Sequence, residues 1–299
     1  MKQINKPVLL FILFTFLINW SFALVYYAAG GRLSGPMGVL FGVIYMFVPM
    51  IVAIVLQKYK HRRPLGEIGL RRAMNRWIFV AWFLPVFICL AAIPVSLLLP
   101  GVSFTPNMSG MMERYRGILT PAQLMQMKRQ IATMPVHPFF PTLISSLVAG
   151  ITVNAVAAFG EELGWRGYLQ HHLRGLGFWR SSLLIGVIWG IWHAPFIIQG
   201  HNYPQHPLMG VGMMVVFCTL FGPILSYLTI RARSVFAAAV AHGTFNAAYG
   251  LSIMLIAGGN DLTIGAVGLS GFVVFAVIDV TIYFSTRSKA GINELPLAY

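Results

Sequence analysis

Eight apolar runs, separated by short polar segments, dominate the chain. They fall at roughly 7–29, 36–57, 77–99, 142–170, 181–199, 208–230, 234–257 and 262–284. At about 1.5 Å per residue, about 20 apolar residues in a helix match the roughly 30 Å hydrocarbon core of a bilayer. Strands of a closed barrel would instead alternate apolar and polar positions. The pattern predicts an all-α, polytopic membrane protein of about eight transmembrane helices. A ninth feature lies in the long polar loop over 100–138. Thr120-Pro121-x-Gln123 supplies an N-cap hydroxyl, proline at the first helical position and a capping-box glutamine. Leu124, Met127, Ile131 and Met134 then recur at helical spacing, so the loop should carry a helix lying on the outer membrane surface.

Composition narrows the class. The 299 residues are 58% hydrophobic and only 9% charged, with a mean hydropathy of +0.76. A soluble domain carries about 25% charged residues, so soluble enzyme, disordered chain and coiled coil are all disfavoured. The net charge of +14 comes from 21 Lys+Arg against seven Asp+Glu. The bases cluster between apolar runs, which suits loops facing anionic lipid and not nucleic acid. Lys2 and Lys6, the segment Lys58 to Arg76, Arg166 to Arg180, Arg231 with Arg233, and Arg287 with Lys289 fall on one side. Arg32, Arg114, Arg116, Lys128 and Arg129 fall on the other. By the positive-inside rule both termini are cytoplasmic, and a bacterial inner membrane is the expected location. Cys89 and Cys218 lie inside apolar runs and support neither a disulfide framework nor a cysteine metal site. The first run is too long for a signal-peptide core and is read as a retained helix. Residues 1–299 read as one membrane domain, with no internal repeat.

Polar groups inside an apolar run are functional candidates because they cost free energy there. Of the acids, Glu67, Glu113, Asp261 and Glu294 fall in loops or the tail, and Asp279 near a helix end. Glu161 and Glu162 alone are adjacent and deep in a run, about nine residues or roughly 13 Å from its cytoplasmic end. Arg166 lies four residues on and can pair with Glu162. Glu161 is rotated by about 100° and points elsewhere, which makes it the candidate general base for water. An ion pair that only locks two helices is the structural alternative. In the fifth run Trp189 and His193 are four apart, and Pro195 should kink the helix beside them. In the seventh, His242 and Asn246 share one face. All these groups reach a similar depth in the cytoplasmic half.

Glu161-Glu162-x-x-x-Arg166, an aromatic four before His193, and His242-x-x-x-Asn246, in that order on successive runs, resemble the CAAX-processing and bacteriocin-processing (CPBP) family of intramembrane endopeptidases. The motifs lie within about 142–257, the candidate catalytic core; the first three runs match only in being hydrophobic. Two positions depart from the family pattern. Trp189 stands where phenylalanine is commoner, and Phe196 where eukaryotic prenyl-protein proteases tend to have asparagine, which disfavours a prenylated C-terminus as substrate. The resemblance implies hydrolysis of a peptide bond in a hydrophobic or membrane-anchored peptide or protein. Glu161 with His193 would activate water, His242 and Asn246 would stabilise the oxyanion, and Glu162 with Arg166 would shape the site.

Metal dependence is left open by the residues. Glu161, His193 and His242 would form a workable zinc site with one open position. Yet no histidine is followed by glutamate, so a His-Glu-x-x-His helix is absent. Gly268-Leu269-Ser270-Gly271 looks like a protease serine loop, but no histidine follows to activate Ser270, and it reads as helix packing. His137, His201 and His206 sit beside prolines in outer loops and read as turn or cap residues. Two other classes use the same cluster: a non-catalytic scaffold or toxin-immunity protein, and a proton-coupled transporter. The transporter would call for a pseudo-repeat or paired broken helices, and the sequence displays neither.

Overall fold

The computed structural model describes residues 6–71, 74–115 and 119–287. Readings that involve Lys2, Arg72, Arg116, Lys289, Glu294 and the side chain of Arg287 lie outside the described residues. Most of the described apolar length is helical. Helix α1 spans Lys6–Ala28, α2 Gly35–Ile54 (continued by a π-helical turn, Val55–Lys60) and α3 Arg76–Leu97. The loop over 100–138, expected on the outer side, contains α4 Ser109–Tyr115 and α5 Pro121–Thr133, and α6 follows over Phe139–Ile151. Helix α7, Val153–Glu162, runs through a π-helical turn, Leu163–Leu169, into α8, Gln170–Leu173. Then come α9 Phe178–Trp192, α10 Ala194–Ile198, α11 Pro207–Ala232, α12 Val235–Ala248, α13 Leu251–Met254 and α14 Leu269–Arg287. One short antiparallel pairing, Ser103–Phe104 with Ile256–Ala257, ties the 100–138 loop to the segment after α13.

The polytopic all-α class is as expected, but the count of eight spans is not. Five helices among the described residues are long and apolar enough to cross a bilayer: α1, Gly35–Lys60, α3, α11 and Leu269–Thr286. The pair Phe139–Ile151 and Val153–Leu176, bent by 47° at Thr152, makes a sixth if counted as one span. Hydropathy averages over a window and cannot see breaks. The fifth and seventh runs are interrupted, at His193-Ala194-Pro195 and at Gly250, leaving α9 with 15 residues and α12 with 14. At about 1.5 Å per residue each is near 22 Å, short of a roughly 30 Å core. Asp279 is also not at a helix margin: it is ten residues into α14, and the residue is 8% exposed.

A helix forms over Pro121–Thr133, where the capping signature predicts one, with Met134 not on its stripe but at its exposed C-cap. Thr120 and Gln123 form the capping box, with Leu124, Met127 and Ile131 on the half-buried face. His137 accepts from the Phe139 amide at 3.2 Å and bonds the Pro106 carbonyl at 2.7 Å, a turn role. His206 pairs with Asp261 at 2.6 Å.

The site is positioned by α12, which packs against α3, α6, α7 and α11, and by α9 against α11. Gly243 is where α12 meets α7: a Cβ there would lie 2.5 Å from the Ala155 nitrogen, so no side chain fits without moving backbone. Such contacts between small residues are the usual way membrane helices approach closely. Gly243→Ala should overpack this contact by about 1–3 kcal/mol. The expected outcome is a clear fall in thermal midpoint in detergent relative to Gly212→Ala, whose Cβ meets nothing. Unchanged melting would refute the packing argument.

Candidate active site

Helix α7 delivers Glu161 and Glu162 at its last two positions, and the π-helical turn over Leu163–Leu169 follows at once. A π turn widens the helix by one residue and recurs at functional sites. Every residue of it, from Leu163 to Leu169, is buried. Arg166 lies in this turn and still reaches back to Glu162 at 3.1 Å, with both side chains wholly inaccessible. A buried carboxylate is tolerated only with such pairing. The second partner of Glu162 comes from α12: His242 Nδ1 lies 2.8 Å from Oε1. Because the carboxylate accepts, Nδ1 carries the proton and Nε2 faces away from this pair.

Glu161 takes different partners, as helical rotation requires. Its Oε2 accepts the indole N–H of Trp189 at 2.6 Å, and the residue is 2% exposed. The same indole ring lies 4.2 Å under the Arg166 guanidinium carbon, a favourable desolvated cation–π geometry. His193, one turn on, directs Nδ1 to the Trp189 carbonyl at 2.8 Å. A carbonyl only accepts, so here too Nδ1 is the donor and Nε2 is left as acceptor. The Trp189 ring centroid is 5.5 Å from that of His193 and 5.3 Å from that of His242.

Four of the six candidate residues, Glu161, Arg166, His193 and His242, therefore contact one indole residue, and Glu162 joins them through Arg166 and His242. Three of their atoms, Glu161 Oε1, His193 Nε2 and His242 Nε2, take part in none of the hydrogen bonds among the described residues. Asn246 is the exception. It sits one turn beyond His242 on the same helix but is exposed, outside the hydrogen-bonded cluster. Among the described residues no group of three or more His, Cys, Asp and Glu is placed to hold a metal ion in this arrangement. Glu161, His193 and His242 are each committed to a protein partner through one of their polar atoms.

Helices α1 and α2, read as featureless from sequence, hold the end of α9 in place. The chain breaks at His193 and the Phe196 amide, four residues on from Trp192, donates to the His193 carbonyl at 2.9 Å instead, so the Trp192 carbonyl loses its helical donor. The Tyr45 hydroxyl donates to it at 2.9 Å and the Trp20 indole at 3.4 Å. Asn19 closes the ring, accepting from Trp192 Nε1 and donating to the Tyr45 carbonyl, both at 2.9 Å. Asn19 could have been found, since a lone amide in an apolar run marks a partner. Tyr45 carries no such signal. Gly268 and Gly271 lie against the backbones of Ile264 and Ala266, and Ser270 donates to the Thr263 carbonyl, so this stretch closes the turn that leads into α14 and does not pack one helix on another as expected.

Comparison with known proteins agrees with the motif reading. Residues 142–248 match the family profile described as Rce1-like, type II CAAX prenyl endopeptidase Rce1-like. That segment contains all six candidate residues. A curated protein of Methanococcus maripaludis, CAAX prenyl protease 2, is 41% identical over 49 residues. The aligned stretch is 16% of this chain and 18% of that protein, so the chain spans under a fifth of its relative's length in this match.

Removing Arg166 alone strands a buried carboxylate, at a cost of about 3–5 kcal/mol. Arg166→Met should therefore accumulate poorly in membranes, while Arg166→Met with Glu162→Gln recovers much of the lost protein. Immunoblots of membrane fractions measure this; equal loss in single and double variants would contradict a dominant charge-pairing role.

Proposed function

We propose that the chain is an intramembrane endopeptidase that hydrolyses a peptide bond of a hydrophobic or membrane-anchored peptide or protein. The reading rests on one observation above all: three residues that each keep one proton-exchanging atom outside the hydrogen bonds, Glu161, His193 and His242, all contact Trp189. In this scheme Glu161 Oε1 takes a proton from water as the water oxygen bonds to the scissile carbonyl carbon. His193 Nε2 accepts the second water hydrogen bond and orients the lone pair. The carbonyl π electrons move to oxygen, and Asn246, exposed one helical turn from His242, donates an amide N–H to that oxyanion. His242 adds a second donor when its Nε2 is protonated, with Glu162 balancing the charge. Collapse of the tetrahedral intermediate breaks the C–N bond, and the proton held on Glu161 passes to the leaving amine.

Both termini lie in the cytoplasm of a bacterial cell on this proposal, with the site opening toward that side. The Rce1-like match supports the reaction class. Phe196 argues against a prenylated C-terminus, so a leader peptide or membrane-anchored regulator is the favoured substrate type.

Glu161→Gln, His193→Ala and His242→Ala should each lower processing by at least about 100-fold while the protein still inserts and accumulates. Asn246→Ala should cost about 10- to 1000-fold. Comparison of new N-termini in membranes of wild type and Glu161→Gln measures this and identifies the substrate. Full activity in Glu161→Gln would sink the proteolytic reading and favour a scaffold. For the metal question, activity should survive phenanthroline, and elemental analysis of active protein should find no stoichiometric zinc. Loss of activity together with one bound equivalent would overturn the metal-free scheme.

A further inference from the structure

Trp189 joins both halves of the proposed site. Its backbone carbonyl accepts His193 Nδ1–H at 2.8 Å, which fixes the tautomer of that histidine. Its side chain donates to Glu161 Oε2 at 2.6 Å, which leaves Oε1 as the one carboxylate oxygen without a protein donor. The ring is 1% exposed, so bulk water cannot substitute for the indole as donor. An indole N–H donates only and does not titrate. It can therefore orient a carboxylate without competing with it for a proton. The ring is held in turn by the Arg166 guanidinium on one face, 4.2 Å away, and by Phe221, whose centroid is 6.3 Å away. Arg166 is itself locked to Glu162.

We infer that Trp189 is a positioning residue for Glu161. Its indole N–H holds one carboxylate oxygen so that the other faces water at a set angle to His193. The inference rests on the endopeptidase reading. It assigns a role to the position where this sequence departs from the commoner phenylalanine. Phenylalanine would keep an aromatic face toward Arg166 and the backbone acceptor for His193, and would lose the donor to Glu161 together with part of the buried ring volume, so the cross-peak response below separates the donor from the packing. Hydrogen bonds to ionised groups are among the stronger ones. Misplacing a catalytic group by about 1 Å can cost on the order of 100-fold in rate.

The test uses the full-length protein. The rate of appearance of the membrane N-termini that distinguish wild type from Glu161→Gln is followed in Trp189→Phe. Expected is an accumulation level like wild type and a rate reduced about 10- to 100-fold. Separately, the protein is labelled with 15N-indole tryptophan in detergent, and the Trp189 cross-peak is identified by its loss in Trp189→Phe or, should that variant not accumulate, in Trp189→Tyr. The cross-peak should lie downfield and move upfield in Glu161→Gln, a change that a purely packing role would not produce. Should Glu161→Gln abolish cleavage while Trp189→Phe cleaves at the wild-type rate, the inference is wrong and the protease reading stands. A cross-peak that does not respond to Glu161→Gln also overturns it. Cleavage at the wild-type rate in Glu161→Gln removes the protease reading, and the inference with it.

Discussion

A carboxylate with no solvent access, in a bundle whose interior is mostly apolar, constrains everything around it. Glu162 must be paired or the bundle does not form. Arg166 meets that need from its own helix and His242 from α12. The Arg166 charge then needs cover, which the face of Trp189 supplies. Once Trp189 is fixed there, its N–H meets Glu161 and its carbonyl meets His193. Burial of one acid thus organises four other polar side chains and two neighbouring helices. The close approach of α7 and α12 at Gly243 is the packing condition that lets His242 reach Glu162.

Breaks in helices are the second device. An unbroken apolar helix satisfies its own backbone and presents few polar groups to a site. Here the chain bends by 47° at Thr152, widens into a π turn after Glu162 and stops at His193. Each break frees backbone groups that must be satisfied elsewhere. At His193 the freed Trp192 carbonyl is taken by Tyr45 and Trp20, which draws α1 and α2 into the support of the site. The first two helices therefore act as a clamp on the end of α9. They are more than a hydrophobic filler around the Rce1-like segment.

Much of this was legible beforehand. The all-α membrane class follows from run length and composition. The Glu162–Arg166 pair follows from spacing, and so does the divergence of Glu161 from it. The capping box of α5 and its inward face could be read residue by residue. The number of spans could not, because averaged hydropathy treats Trp192-His193-Ala194-Pro195 as part of a continuous run. The grouping of Asn246 with His242 was half right. Sharing a helix face puts the two in line, but the inner one is buried and the outer one exposed. Tyr45 was invisible, since a tyrosine in an apolar run looks like any other aromatic until a carbonyl is placed opposite its hydroxyl.

What the sequence determined by itself is the inventory and the local geometry: which apolar segments exist, which charged residues interrupt them, and which side chains share a turn. Those are consequences of chain length, transfer free energy and the 3.6-residue period, all of which act over a few neighbours. The tertiary structure decided which nitrogen of each histidine carries its proton, which oxygen of Glu161 is left unbonded, and that Trp189 meets Glu161, Arg166 and the two histidines. Those depend on partners 28 and 80 residues distant in the chain. No local rule fixes such contacts, because they arise only when separate helices compete to satisfy the same buried polar atoms.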